Sequence, residues 1–209
     1  MKLQDVRKEL ERLNLEIINH PILKSAEGGE LKRSVIEAFV INQWYIVNHD
    51  LRSLSIGLSR SSNIEELDIF KALVDGDYNA LKELIKLMRE LRIEVKDPLT
   101  YKISPKAIAY THYLAWLANY AKPSEFLFAS IVNLPIYAYV VTKFGDSLKK
   151  HYGIKETGFF DVFKASYAEL EDRIAKLVEN EDFNRLKTIG YTIQSYEKEF
   201  WDSIYEFNS

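Results

Sequence analysis

The segment SYEKEFWDSIYEF near the end of the chain has the clearest chemical potential, because it places Glu197 and Trp201 four residues apart. At helical spacing these two side chains share one face, with Tyr196 and Phe200 beside them. A carboxyl group buried against aromatic rings has a raised pKa, which suits a general acid or base. An exposed Glu197 would instead be one of many surface acids, so its burial decides between the two interpretations.

A second group of polar residues lies in VINQWYIVNHD, where Gln43, Val47 and Asp50 share one helical face. Polar groups among core-type residues need hydrogen-bond partners, which either the protein or a ligand can supply. For Gln43 both interpretations remain open, a satisfied hydrogen bond in the core or a contact with a ligand. The aromatic stripe of Tyr110 and Tyr113 in AYTHYLAWL is more typical of a core than of a pocket.

The stretch NLPIYAYVV, which runs from Asn133 to Val141, fits both a core helix and the wall of a binding pocket. Pro135 suits a first helical turn, where no backbone N–H is needed. Its YAYVV portion is the one short run with strand-like alternation. We assign it to a helix because it continues into TKFGDSLKKHYG, where lysines followed by Gly153 are typical of a helix C-terminus.

Several catalytic classes are disfavoured by residues that the sequence lacks. Without cysteine there are no disulfides, thiolate metal sites or cysteine nucleophiles. The four histidines lie on separate elements and none belongs to a Glu-x-x-His motif, so we predict no metal site and no cofactor. His20 precedes Pro21 at a helix end, where a C-terminal cap is more typical than a metal ligand. EGGE and GDS lack the neighbours of a phosphate loop and of a nucleophile elbow.

Composition and charge predict a globular protein of one domain spanning residues 1–209. Of the 209 residues, 47% are hydrophobic and 28% charged, and no linker is apparent. The net charge of −3, with basic and acidic residues interleaved, disfavours a nucleic-acid partner. The longest apolar run, at 127–141, is interrupted by Asn133 and Pro135, and the N-terminus has no signal-peptide core. We therefore expect a cytoplasmic protein that does not enter the membrane.

Apolar residues recur at three- and four-residue spacing through most of the chain, which is the pattern of amphipathic helices. The pattern predicts an all-α, single-domain multi-helix bundle with a central helix. The predicted helices lie at about 2–19, 31–60, 64–74, 78–93, 104–121, 124–150, 157–179 and 183–207.

The order and spacing of several segments resemble the TenA or thiaminase II family, helical proteins with a haem-oxygenase-like fold that are related to the pyrroloquinoline-quinone synthesis oxidases. The resemblance runs from about residue 14 to 207. It implies an enzyme that hydrolyses a bond between an aminopyrimidine of thiamin metabolism and its leaving group, or deaminates an aminopyrimidine, and it also implies a homo-oligomer. The matching segments are NHPILKSAEGGEL, FVINQWYIVNHD, AYTHYL, NLPIYAYV, FKASYAEL and SYEKEFWDSIY.

The resemblance also implies roles for individual residues. Glu197 matches the family's proton donor, so we predict it as the catalytic residue. In the family the pyrimidine ring is held between aromatic side chains, and carboxylates contact its amino group and ring nitrogen. The predicted substrate-binding residues are Gln43, Tyr110, Ile136, Tyr137, Tyr167 and Trp201.

Two of these positions depart from the family pattern. Gln43 stands where the family usually has an aspartate that binds the amino group, and Ile136 stands where the main branch has its nucleophilic cysteine. A hydrocarbon side chain can neither attack a substrate nor transfer a proton. Two functions therefore remain open, an aminopyrimidine hydrolase that works without cysteine and a non-catalytic protein that binds a small heterocycle. A regulator that acts through protein contacts has the least support.

Overall fold

The computed structural model describes residues 2–208, which form ten α-helices and two short 3-10 turns with no β-strand among them. The predicted all-α fold is confirmed, and YAYVV is helical as predicted. The helices are α1 (Lys2–Glu9), α2 (Glu11–Ile18), α3 (Pro21–Glu27), α4 (Arg33–Arg60), α5 (Ile64–Glu90), α6 (Pro105–Tyr120), α7 (Pro123–His151), α8 (Gly158–Asp161), α9 (Ala168–Leu177) and α10 (Phe183–Tyr205).

Some helix boundaries differ from the predicted ones. The helix predicted at 2–19 is two helices, α1 and α2, which meet at Leu10, and the one predicted at 157–179 is divided into α8 and α9. The helices predicted at 64–74 and 78–93 are instead one continuous helix, α5. Gly76 is tolerated inside α5 because it is exposed, and the buried residues on both sides, such as Phe70 and Ala80, keep the helix on the core.

His20 caps a helix, but at the opposite end from the one predicted. Its Nδ1 accepts a hydrogen bond from the backbone N–H of Ile22 in the first turn of α3, at 3.2 Å. With Nδ1 as acceptor, Nε2 carries the proton and donates to Asp202 Oδ1 at 3.0 Å. Burial lowers the pKa of His20, which favours this neutral form. Within residues 2–208 no group of three or more histidine, cysteine or acidic side chains is placed to hold a metal.

An aromatic cluster around Phe39 of α4 joins the long helices. Helix α4 packs against α5 and α6, and α10 packs against α6 and α7. Offset and edge-to-face ring pairs add about 0.5–1.5 kcal/mol each to the burial of their area. The rings whose centroids lie 5.0–6.2 Å from that of Phe39 are Phe144, Phe159, Phe160, Phe200 and Trp201.

Helix α7 is long and apolar enough to cross a membrane by length and composition alone. In the structure, however, 61% of its most apolar window is buried, and the helix packs against α3, α9 and α10. We therefore assign α7 as a core helix of a soluble protein.

Pro135 lies inside α7 rather than in its first turn, and a contact from α1 compensates for it. A proline has no N–H, so the carbonyl of Ile131 loses its helical donor. Arg7 of α1 replaces that donor, because its Nη2 lies 3.1 Å from the Ile131 oxygen, while its guanidinium also pairs with both oxygens of Glu171 at 2.7 Å. This contact stabilises α7 beside the turn that carries Asn133.

We predict that Arg7→Met lowers the free energy of unfolding by about 1–3 kcal/mol, because it leaves a carbonyl and a carboxylate without their shared donor. Urea denaturation measures the change. The matched control is Arg12→Met, since the Arg12 side chain is 92% exposed whereas that of Arg7 is 21% exposed. Equal stabilities of the two variants would contradict this role of Arg7.

Candidate functional site

A cavity of about 80 Å³ lies among α4, α5, α6, α7 and α10. About 10–15 Å³ of such space holds one water molecule, so this cavity has room for several waters or one small planar ring. Its half-buried members, such as Asp77 and Phe163, mark the side nearest to solvent. The lining residues are Gln43, Ile46, Val47, Asp50, Asp77, Tyr110, Asn133, Leu134, Tyr137, Phe163, Glu197 and Phe200.

Glu197 lies on the cavity wall with its carboxyl group held at both oxygens. Its side chain is only 3% exposed. Asn133 Nδ2 donates to Oε2 at 3.0 Å, and Trp201 Nε1 donates to Oε1 at 2.7 Å. The hydroxyl of Tyr110 in turn donates to Asn133 Oδ1 at 3.2 Å. This chain of hydrogen bonds fixes the carboxyl group in one orientation relative to the cavity.

Burial raises the pKa of Glu197 to about 7, although the hydrogen bonds from Asn133 and Trp201 act in the opposite direction. Such a carboxyl group is divided between its two protonation states near neutral pH, which is the most effective condition for general acid–base catalysis. The sequence interpretation of Glu197 as an acid or base requires that it be buried beside Trp201, and in the structure it is.

Two further carboxyl groups face the same cavity, Asp50 from α4 and Asp77 from α5. The hydroxyl of Thr111 donates to Asp50 Oδ1. Burial, together with the negative charge of Asp77, raises the pKa of Asp50 well above its usual range, and burial raises the pKa of Asp77 to about 7. The lining residues thus include three carboxyl groups and no lysine, arginine or histidine.

Tyr137 contributes a hydroxyl group that is buried without a hydrogen-bond partner, the only such side-chain atom found within residues 2–208. Its ring packs edge-on against Phe163 at 5.0 Å and tilted against Trp201 at 6.3 Å. Burial raises the pKa of Tyr137 well above its usual value, so the hydroxyl keeps its proton. Because an unsatisfied buried group costs about 1–3 kcal/mol, a ligand that accepts this hydrogen bond would recover that free energy.

The structure brings some of the predicted site residues together and separates others. Gln43, Tyr110, Tyr137 and Glu197 all line the cavity. Trp201 does not line it but lies behind Glu197, fully buried and hydrogen-bonded to it.

Tyr167 and Ile136 are not among the lining residues. The hydroxyl of Tyr167 donates to the backbone oxygen of Phe163 at 3.1 Å, so it supports a wall residue. Ile136 is half-buried and packs against the larger apolar core to which Phe39 belongs.

The residue that sequence reasoning missed most clearly is Asp77. In the sequence, Phe70, Val74, Asp77 and Ala80 follow one another at four- and three-residue spacing. This helical pattern continues past the apparent break at Gly76 and could have placed Asp77 on the buried face. Phe163 gave no comparable signal, because it lies between α8 and α9, where helical spacing does not apply.

Comparison with known proteins assigns the chain to a family. Its sequence matches the profile of the TENA/THI-4/PQQC family over residues 7–207. The chain belongs to this family. It is 22% identical over 200 residues to an aminopyrimidine aminohydrolase of Halalkalibacterium halodurans, an alignment that covers 90% of this chain and 88% of that protein. The predicted resemblance to TenA proteins is thereby confirmed, for a member of the family without cysteine.

Solved structures give the same result for the fold. A TenA homologue from Pyrococcus furiosus is similar with a TM-score of 0.79 at 19% identity, over 98% of this chain and 100% of that one. A domain of unknown function with a heme oxygenase-like fold, from Shewanella denitrificans, is similar with a TM-score of 0.78 at 11% identity, over 99% and 93%. The predicted haem-oxygenase-like fold is confirmed.

The raised pKa of Glu197 predicts how stability changes with pH. Between its ordinary value of 4.5 and about 7 the folded protein binds more protons than the unfolded chain, so stability present at low pH is lost as pH rises. In Glu197→Gln this loss is absent. The wild type should therefore lose on the order of 2 kcal/mol relative to the variant between about pH 5 and about pH 8.

Urea denaturation across that pH range measures the difference. Glu199→Gln is the matched control, because Glu199 is an exposed acid on the same helix and should give a curve parallel to the wild type. A Glu197→Gln curve that is also parallel to the wild type would contradict the burial effect.

Proposed function

We propose that this protein binds an aminopyrimidine compound of thiamin metabolism in the cavity and hydrolyses one of its C–N bonds without a cysteine nucleophile. The observation that carries the proposal is Glu197, an oriented carboxyl group on the cavity wall with a pKa of about 7. Similarity to an aminopyrimidine aminohydrolase supports this choice of substrate class.

The lining residues suit a flat heterocycle with a polar edge. Tyr137, Phe163 and Phe200 supply aromatic surface, and aromatic rings pack well against a planar ligand. The amide of Gln43 can donate one hydrogen bond and accept another, which matches an edge that carries an amino group beside a ring nitrogen.

In the proposed reaction, water replaces the missing nucleophile. Ionised Glu197 accepts a proton from a water molecule as the water oxygen attacks the carbon that bears the leaving nitrogen. The protonated carboxyl group then donates that proton to the nitrogen as the C–N bond breaks, so the products are an alcohol or its tautomer and a free amine or ammonia. Without covalent catalysis, we expect turnover to be slow.

The second candidate function is binding of a small heterocycle without turnover, for sensing or sequestration. The observation that favours it is the composition of the wall, where the lining residues within 2–208 include no cysteine, serine, threonine or lysine. The same aromatic surface and Gln43 amide serve this function equally well.

We also propose that the protein is a cytoplasmic homo-oligomer. Exposed aromatic residues on α6, Trp116 and Tyr120, offer apolar surface that a second copy could cover. A molar mass in solution of twice 24.4 kDa or a higher multiple would support an oligomer. A mass of 24.4 kDa would contradict it.

The two functions are distinguished by incubating the protein with thiamin and with aminopyrimidine analogues and measuring the released pyrimidine together with its leaving group, a thiazole from thiamin and an amine or ammonia from the analogues. We predict product formation by the wild type and a loss of about 10²-fold or more in Glu197→Gln, because general acid–base catalysis typically contributes 10²–10⁴-fold. Glu199→Gln, the exposed control, should keep the wild-type rate. Binding with no product from the wild type would favour the second function, and an undiminished rate in Glu197→Gln would overturn the role of Glu197.

A further inference from the structure

The side-chain amide of Asn133 can face the carboxyl group of Glu197 in two ways. In the structure its Nδ2 points toward Glu197 and donates a hydrogen bond to Oε2 at 3.0 Å. Turned by 180°, the amide would present its own oxygen, which could bond only to a protonated carboxyl group. The contact from Arg7 to Ile131 holds the backbone of this turn of α7 but does not act on the amide. The orientation of the amide therefore depends on its side-chain neighbours.

We propose that Gln194, one helical turn before Glu197 on α10, is a positioning residue for the acid–base step, because it fixes the orientation in which Asn133 donates to Glu197. Gln194 is not among the residues that line the cavity, so it acts through Asn133 and not on the ligand. This inference rests on the proposed function, since it concerns the residue that transfers the proton there.

Both ends of the Gln194 amide are hydrogen-bonded. Its Oε1 accepts from Asn133 Nδ2 at 3.0 Å, and its Nε2 donates to Oδ1 of Asn14 on α2. Turning the Asn133 amide would bring its oxygen against Gln194 Oε1, which places two acceptors together with no hydrogen between them. Turning the Gln194 amide would oppose two N–H groups instead. With the Asn14 oxygen directed inward, this chain of three amides has one favourable direction, which ends with an N–H at Glu197.

The burial of the chain indicates a role beyond stability. The side chains of Gln194 and Asn133 are 0% and 3% exposed. Buried amides are costly unless they are fully paired, whereas apolar side chains of similar volume would fill the same space without that requirement. What the amides add is a defined direction of hydrogen bonding, and that direction is delivered to one carboxyl group.

The orientation of Asn133 affects which protonation state of Glu197 is favoured. A donated N–H stabilises the ionised carboxyl group and lowers its pKa, whereas burial raises it. An amide oxygen in the same place would accept a hydrogen bond from the protonated form and raise the pKa further. The other titratable residues of the cavity wall are all acidic, so none of them stabilises the ionised form. They are Asp50 of α4, Asp77 of α5, Tyr110 of α6 and Tyr137 of α7.

Carbon-13 NMR titration of the Glu197 carboxyl group in the full chain tests the proposal. We expect Gln194→Met to raise the midpoint by about 0.5–1 pH unit, because Asn133 can then turn and accept from the protonated acid. Gln4→Met is the matched control, since Gln4 is exposed on α1 and should leave the midpoint unchanged. A loss of stability in Gln194→Met with no change of midpoint would show a merely structural role and would overturn the proposal.

Two variants of Asn14 test the direction of the chain at its outer end, where the side chain is only half-buried. Asn14→Asp keeps an oxygen that accepts from Gln194 Nε2, so it should keep the wild-type midpoint. Asn14→Leu removes that acceptor, so the Gln194 amide can turn and the midpoint should rise as in Gln194→Met. Equal midpoints in the two Asn14 variants would overturn the proposal, and this comparison decides if Gln194→Met does not fold.

Turnover separates this inference from the proposed function. If the protein hydrolyses an aminopyrimidine compound, Gln194→Met should be about two- to fivefold slower at about pH 7, where less of Glu197 is ionised, and should recover at about pH 9. A raised midpoint in a protein that forms no product would retain the role of Gln194 in orienting the carboxyl group and lose the hydrolase activity. Product formation with an unchanged midpoint and rate in Gln194→Met would do the reverse.

Discussion

The hydrogen bonds that hold the buried carboxyl group of Glu197 depend on most of the surrounding fold. An acid among aromatic rings is costly unless its oxygens are bonded, and here Asn133 and Trp201 bond one oxygen each. Trp201 is fixed by the aromatic cluster around Phe39. Asn133 lies in the turn of α7 before a proline, where Arg7 supplies the missing donor. The geometry at one carboxyl group is thus maintained by α1, α4, α7 and α10.

The residues that line the cavity beside this carboxyl group combine aromatic rings with three acidic side chains and include no lysine, arginine or histidine. Such a wall is unfavourable when empty, because charged acids repel one another and neutral ones leave hydrogen-bonding capacity unused. The charges of Asp77 and Glu197 both act on Asp50, so the three acids of this wall share one electrostatic environment.

Much of this site follows from sequence, because Glu197 and Trp201 meet by helical spacing within one element. The cavity positions of Tyr110 and Tyr137 follow from the family resemblance. Asp77 was missed because Gly76 between two aspartates looks like a helix break, whereas burial of the residues on both sides carries α5 through it. The donor that Arg7 gives to Ile131 depends on a contact between distant segments, and so does the hydrogen bond between His20 Nε2 and Asp202 that accompanies the cap on α3. Local pattern does not encode such contacts.

We predict that the buried carboxyl groups of Glu197 and Asp77 titrate near neutral pH. Carbon-13 NMR titration of protein labelled at its aspartate and glutamate carboxyl carbons measures this directly. Comparison with Glu197→Gln and Asp77→Asn assigns the two signals. We expect both signals to titrate with midpoints near pH 7. Midpoints at the ordinary values, 4.5 for Glu197 and 3.8 for Asp77, would contradict it.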